Sequence, residues 1–267
     1  MLLGQKISDR VAEMRQLPKG IDQRSACRHP DWTGADDLEI KIQELREITD
    51  WEKPIYLKVG ASRPYFDVNL AVKAGADVIV LDGMQGGTAA TQEVFIEHVG
   101  IPLLSAIPPA VKALQDLGMH RKVQLIVSGG IRTGADVAKA LALGADAVAV
   151  GTAALVALGD NDPKWEKEYE KLGSRAGCYD DWHEGKDPAG ITTQTPELTQ
   201  RLDPVAAGRR LANYLKVLTL EAQTLARACG KNHLHNLEPE DLVALTLEAA
   251  AMARVPLAGT SWVPGAR

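Results

Sequence analysis

The stretch Val123-Gln124-Leu125-Ile126-Val127-Ser128-Gly129-Gly130-Ile131-Arg132-Thr133-Gly134-Ala135-Asp136 decides how this chain of 267 residues is read. An apolar, β-branched run gives way to paired glycines, and helical spacing then begins at Val137, Ala140 and Leu141. A strand that ends in Gly-Gly before a helix leaves main-chain N–H groups exposed. Glycine lets them approach an anion closely, and the helix start adds partial positive charge. One βα unit later Val150-Gly151-Thr152-Ala153 repeats the arrangement. Two such turns in succession match the phosphate site that the loops after strands 7 and 8 build in a (β/α)8 barrel. Either turn alone also has a plainer reading, since a tight βα connection needs glycine anyway.

Outward from this stretch, five apolar runs read as strands of a parallel sheet covered on both faces: 55–59, 78–82, 102–106, 123–128 and 147–151. Helical patterns at 67–74 and 135–143 lie between runs, and each is followed by Gly-Ala-Asp, at 75–77 and 144–146. That repeat reads as a C-capping glycine leading directly into a strand. Upstream, an irregular loop at 21–30 precedes a helix at 36–49. Downstream, a charged irregular stretch from 159 to 201 precedes amphipathic helices at about 204–228 and 239–253. The fold class is therefore α/β, of (β/α)8 TIM-barrel type. About five βα units form its C-terminal part at 1–158, and an irregular segment plus an appended helical region occupies 159–267.

Composition narrows the function classes. With 45% hydrophobic and 24% charged residues the chain is of ordinary globular type, and a net charge of -5 argues against a nucleic-acid partner. Cys27, Cys178 and Cys229 are far apart and form no C-x-x-C pair, as a reducing, cytoplasmic setting would have them. No stretch of about 18 apolar residues occurs, so no membrane association is expected. His183, His233 and His235 lack carboxylate partners at ligand spacing, and no metal site is expected from them.

Two further features point at chemistry. The glycine cluster Asp82-Gly83-Met84-Gln85-Gly86-Gly87-Thr88 is longer than a turn requires, and as a loop over a barrel mouth it could line a flat ring, with Gln85 and Thr88 as hydrogen-bonding groups. The alternative is a surface loop. Lys58 sits near the end of an apolar strand, where a buried lysine needs an anionic partner or a catalytic reason. The alternative is a lysine pointing to solvent.

Together, Lys58, the 83–88 loop, Ser128-Gly129-Gly130 with Arg132, and Gly151-Thr152 resemble the FMN domain of glutamate synthase. The resemblance runs from Gly4-Gln5-Lys6 to about Thr193. The segments Tyr179-Asp180-Asp181-Trp182-His183-Glu184-Gly185 and Gly230-Lys231-Asn232-His233-Leu234-His235-Asn236-Leu237 bring it nearest to stand-alone glutamate-synthase-like subunits, including that of N-methylglutamate synthase. The resemblance implies FMN as cofactor. Its phosphate would be held by Gly129, Gly130, Gly151 and Thr152, its ring lined by Gln85, Gly86, Gly87 and Thr88, and Lys58 would lie near the isoalloxazine as the catalytic candidate. It further implies reductive amination of 2-oxoglutarate with ammonia or methylamine, alongside glutaminase-like and electron-transfer subunits. Arg24 and Arg28 are candidate carboxylate ligands for the diacid, with exposed loop arginines as the alternative.

Two departures accompany the resemblance. Pro188-Ala189-Gly190-Ile191-Thr192-Thr193-Gln194 matches a family segment, but the positions of the three cluster-binding cysteines read Ala176, Trp182 and Asp187. A 3Fe-4S cluster needs thiolates, so none is expected on this chain. Only five strands precede the C-terminal helices, whereas a closed barrel has eight. The expectation is that a partner or further segment completes the barrel, or that the chain alone holds flavin poorly. Other readings of the same turns are a barrel like IMP dehydrogenase or type 2 isopentenyl diphosphate isomerase, and a non-catalytic barrel fragment. Against the IMP dehydrogenase type, Cys27 is the only cysteine before Gly129 and lies far from that turn.

Overall fold

The computed structural model describes residues 1–24, 26–87 and 91–265. The chain forms two compact units: Met1–Cys27, Thr88–His98 and Gly151–Lys216 make the first, and Arg28–Gly87, Val99–Val150 and Val217–Arg267 the second. Residues 159–267 are thus shared between the units, with the division falling at 216–217.

The second unit is built on four parallel strands, β1 (Tyr56–Gly60), β2 (Val78–Asp82), β3 (Gln124–Ser128) and β4 (Ala147–Ala149), in the order of the sequence. The helices Pro64–Lys73, Leu103–Asp116 and Gly134–Ala142 occupy the successive connections. This is the α/β, (β/α)8-barrel type of construction, with part of the barrel present. Ile79, Leu81, Leu125 and Val127 are wholly buried on one sheet face, where Val68, Ala71, Ala106, Ala110 and Leu114 of the helices are buried as well. The other face carries Tyr56, Lys58, Gly60, Val80, Asp82, Gln124, Ile126, Ser128, Ala147 and Ala149, all exposed or half-buried, and Val78, which is buried. Coverage on both faces, expected from the apolar runs, is therefore not found. Apolar character without strict alternation suits a barrel strand, whose second face belongs to the barrel interior.

The run at 102–106 is not a strand, and the five expected βα units reduce to four strands. Pro102 N-caps the Leu103–Asp116 helix, whose buried residues Leu103, Ala106, Ile107, Ala110, Val111, Ala113 and Leu114 follow helical spacing. The periodicity over 14 residues outweighs the five-residue apolar run at its start. Likewise 239–253 is not one helix: a 3-10 turn at Pro239–Asp241 precedes a separate helix at Leu247–Ala253. By contrast the Pro204–Ala228 helix has the expected bounds, and Ala35–Ile48 lies within a residue of them.

The Gly-Ala-Asp repeat is one device used twice. Gly75 and Gly144 hold φ of 99° and 109° after their helices, as left-handed caps. The aspartates then close the start of a neighbouring strand: Asp77 Oδ2 accepts the Ile55 N–H at 2.7 Å, and Asp146 Oδ2 accepts that of Leu125 at 2.8 Å. Each also pairs with an arginine, Arg46 at 3.1 Å and Arg121 at 2.8 Å. Burial pushes the Asp77 carboxyl up, but the Ile55 N–H and the Arg46 guanidinium hold it below the usual carboxylate range.

In the first unit, Tyr169 and Tyr179 are buried with ring centroids 5.4 Å apart. Burial, reinforced by the Asp187 carboxylate, raises both phenol pKa values. Asp187 is wholly buried and accepts the N–H groups of Ala189, Ile191 and Thr192 at 2.9, 2.8 and 3.0 Å. Among the described residues no helix is long and apolar enough to cross a membrane.

Candidate flavin site at the strand tips

Register fixes what meets at the C-terminal edge of the second unit. Gly60, Asp82, Ser128 and Ala149 form one row across β1 to β4, and Lys58, Val80, Ile126 and Ala147 the row behind it. Lys58 Nζ crosses to Asp82 Oδ2 at 3.0 Å. Its side chain is 60% exposed, so it is not the buried lysine the sequence suggests, although it has the anionic partner. Asp82 is 14% exposed, and its Oδ1 is buried without a hydrogen-bond partner. Gly86 passes over that oxygen so closely that a Cβ there would lie 2.1 Å from it.

The 83–87 loop is folded onto the β3 turn. The Gly83 N–H donates to Ser128 O at 2.8 Å and the Met84 N–H to Ile101 O at 3.0 Å. Gln85 Oε1 accepts the Leu103 N–H at 3.0 Å, capping the Leu103–Asp116 helix, so this oxygen is occupied by the main chain. A Cβ on Gly129 would stand 3.2 Å from Gly86 N, and one on Gly130 would stand 3.5 Å from Gln85 Cβ. Two of the glycine clusters, far apart in sequence, are thus in contact.

Gly129 and Gly130 hold φ of 117° and 76°, a left-handed conformation open to glycine. Among the described residues no acceptor takes their N–H groups. The amides from Arg132 to Gly134 are occupied: the Arg132 and Thr133 N–H groups donate to Asp136 Oδ2, and the Gly134 N–H to Glu221 Oε2. The Arg132 side chain is exposed.

Of the other candidate residues, Gly151 and Thr152 lie in the first unit, where Gly151 N-caps the Thr152–Leu158 helix. Gly87 is exposed with φ of 90°, and Thr88 lies outside the described residues. Arg24, in the first unit, and Arg28, in the second, are both exposed. Sequence reasoning missed three groups. Asp82 had a signal as a carboxylate ending a strand beside Lys58, and Asp136 had one in the Thr133-x-x-Asp136 spacing. Glu221 had none, being 87 residues from the amide it caps.

Residues 1–232 match the conserved region in glutamate synthase. A glutamate synthase large subunit-like protein of Rhizobium meliloti (strain 1021) is 86% identical over 99% of this chain and 60% of its own length. An archaeal NADPH glutamate synthase of Methanocaldococcus jannaschii is 40% identical over 88% of this chain and 43% of its own. A flavocytochrome b2 double mutant with pyruvate bound overlaps partially, with a TM-score of 0.49 at 20% identity over 97% of this chain and 47% of that one. The chain therefore spans less than two thirds of the length of these proteins. With its strand-tip glycines, its parallel sheet and a match covering residues 1–232, the chain belongs to the glutamate synthase family.

Proposed function

We propose that this chain supplies the phosphate-gripping part of an FMN site in a glutamate-synthase-type oxidoreductase. The observation that carries the reading is the pair of acceptor-free N–H groups at Gly129 and Gly130, on the same strand edge as the Lys58 cation. The residues fit the cofactor: left-handed glycines leave room for a phosphate monoester, and a lysine on the uncovered sheet face can offset negative charge on a ring. When bound, FMN supplies the two-electron redox chemistry. The chain's own part is to hold the phosphate, to place a positive charge through Lys58, and to keep that charge paired with Asp82 when no ligand is present.

The proposed reaction is reductive amination of 2-oxoglutarate with ammonia or methylamine, giving glutamate or N-methylglutamate, with Arg24 and Arg28 as candidate ligands of the diacid. We propose no 3Fe-4S cluster on this chain. Asp187 holds three main-chain N–H groups where the family places a thiolate, and the exposed Cys178 accepts a hydrogen bond from Arg175. Electrons and ammonia would then come from electron-transfer and glutaminase-like subunits. The uncovered face and the open edge of β1 call for further βα units, from a partner or a further segment.

The test is to express the chain with and without the additional region of the Rhizobium relative, desalt, and record flavin absorbance. Reduced flavin is then mixed with 2-oxoglutarate and either amine. Stoichiometric FMN and amine-dependent reoxidation in the complemented protein are expected; absence of bound flavin in both preparations would sink the reading.

A further inference from the structure

Asp82 is a carboxylate with fewer partners than its burial calls for. A carboxylate offers about four lone-pair directions, and among the described residues a single donor reaches this one, Lys58 Nζ at 3.0 Å from Oδ2. Oδ1 is closed off beneath Gly86, where a Cβ would lie 2.1 Å away, and has no hydrogen-bond partner. The 14% exposure that the side chain keeps therefore lies away from Oδ1. A covered carboxylate held by one mostly exposed lysine is costly, and such a group calls for a reason. Its place in the fold supplies one. Asp82 stands at the C-terminal ends of the strands, in a row with Gly60, Ser128 and Ala149, on the sheet face that the helices leave uncovered. Barrel active sites are built at that end. Among the residues of the four strands Asp82 is the only carboxylate.

We propose, resting on the flavin reading above, that Asp82 binds the amine substrate as its cation and faces the protonated imine formed from it. The candidate ligands for the phosphate and the dicarboxylate are main-chain donors and arginines, so the third component, an amine that is protonated at neutral pH, needs a group of opposite sign. Condensation preserves its charge. Ammonium and 2-oxoglutarate give the protonated imine and one water: C=N replaces C=O, two N–H protons leave with the oxygen, and no electrons are transferred. One carboxylate therefore serves both species. The Lys58 ammonium marks the position on Oδ2 that a substrate ammonium takes. When Lys58 turns to an anionic ligand, a substrate N–H replaces it, and the covered carboxylate keeps a charged donor throughout. The lysine stem is flexible and its side chain is mostly in solvent, so the exchange needs no movement of the sheet.

The experiment uses the full chain, complemented as above and loaded with FMN, at constant ionic strength. Methylammonium chloride is titrated against the flavin spectrum, and KM is measured separately for the amine and for 2-oxoglutarate. Asp82→Asn keeps the shape of the side chain and removes its charge. The dissociation constant and KM of the amine are expected to rise about tenfold or more, the size of a lost hydrogen bond to a charged group, while the 2-oxoglutarate KM changes less than about twofold and FMN stays bound. If Asp82 only positions Lys58, the same variant raises the 2-oxoglutarate KM and leaves the amine constants alone, which overturns the inference. Tetramethylammonium carries the charge without an N–H donor and is expected to leave the wild-type spectrum unchanged. A perturbation equal to that of methylammonium overturns the inference, whether or not Asp82→Asn folds. Amine constants unchanged in Asp82→Asn, with FMN retained, overturn this inference alone. A wild-type protein that takes up no FMN overturns the flavin reading and the inference with it.

Discussion

Lys58 Nζ lies 3.0 Å from Asp82 Oδ2, joining neighbouring strands at the edge where the glycine turns converge. The two ends of the pair differ. The lysine is mostly in solvent, whereas the carboxylate is largely covered and its second oxygen has no hydrogen-bond partner. Removing the lysine alone would strand the covered Asp82 carboxylate, so both charges are neutralised together. Lys58→Met combined with Asp82→Asn should leave the urea midpoint nearly unchanged while flavin affinity falls by about tenfold or more. Equal losses in both measurements would show the pair to be structural.

Asp77 and Asp146 do the same task with different exposure, their side chains being 42% and 8% accessible. Removing a charged acceptor from a covered strand-start N–H costs about 1–3 kcal/mol. Asp146→Ala should fall near the upper end and Asp77→Ala near the lower. Chemical denaturation of the two variants decides; an inverted order would remove the argument.

The pH dependence has a definite sign. The carboxyls of Asp77 and Asp136 both titrate lower in the folded chain than the unfolded value of about 3.9. Their stabilisation is fully present above that value and is lost as pH falls through the folded pKa. The urea midpoint should thus be insensitive to these groups from about pH 6 to 8 and decline below about pH 4, and Asp136→Asn should flatten the decline.

Two glycines on the same edge should respond differently to alanine. A Cβ at Gly83 would lie 2.7 Å from Leu103 Cβ and 2.9 Å from its main chain, whereas at Gly60 nothing stands within 4 Å. Overpacking against backbone costs about 1–3 kcal/mol. Thermal unfolding of Gly83→Ala should show that loss, and Gly60→Ala should be close to wild type.

Cys27, Cys178 and Cys229 are free and exposed. All three should react with a thiol reagent in the native protein, and added reductant should leave the melting temperature unchanged. A cysteine that reacts only after denaturation would contradict their placement.

Much of this was legible because it is local. Apolar runs at 78–82 and 123–128, the capping glycines 75 and 144, and the turn glycines 129 and 130 obey short-range rules of periodicity and left-handed backbone, and each stands where those rules put it. Only the tertiary structure could decide the rest. An apolar run such as 102–106 suits strand or helix until its packing partners are known, and the exposure of Lys58 depends on which sheet face is covered. The Glu221 carboxylate meets the Gly134 amide across 87 residues, a contact created by helix packing that no window of neighbouring residues contains.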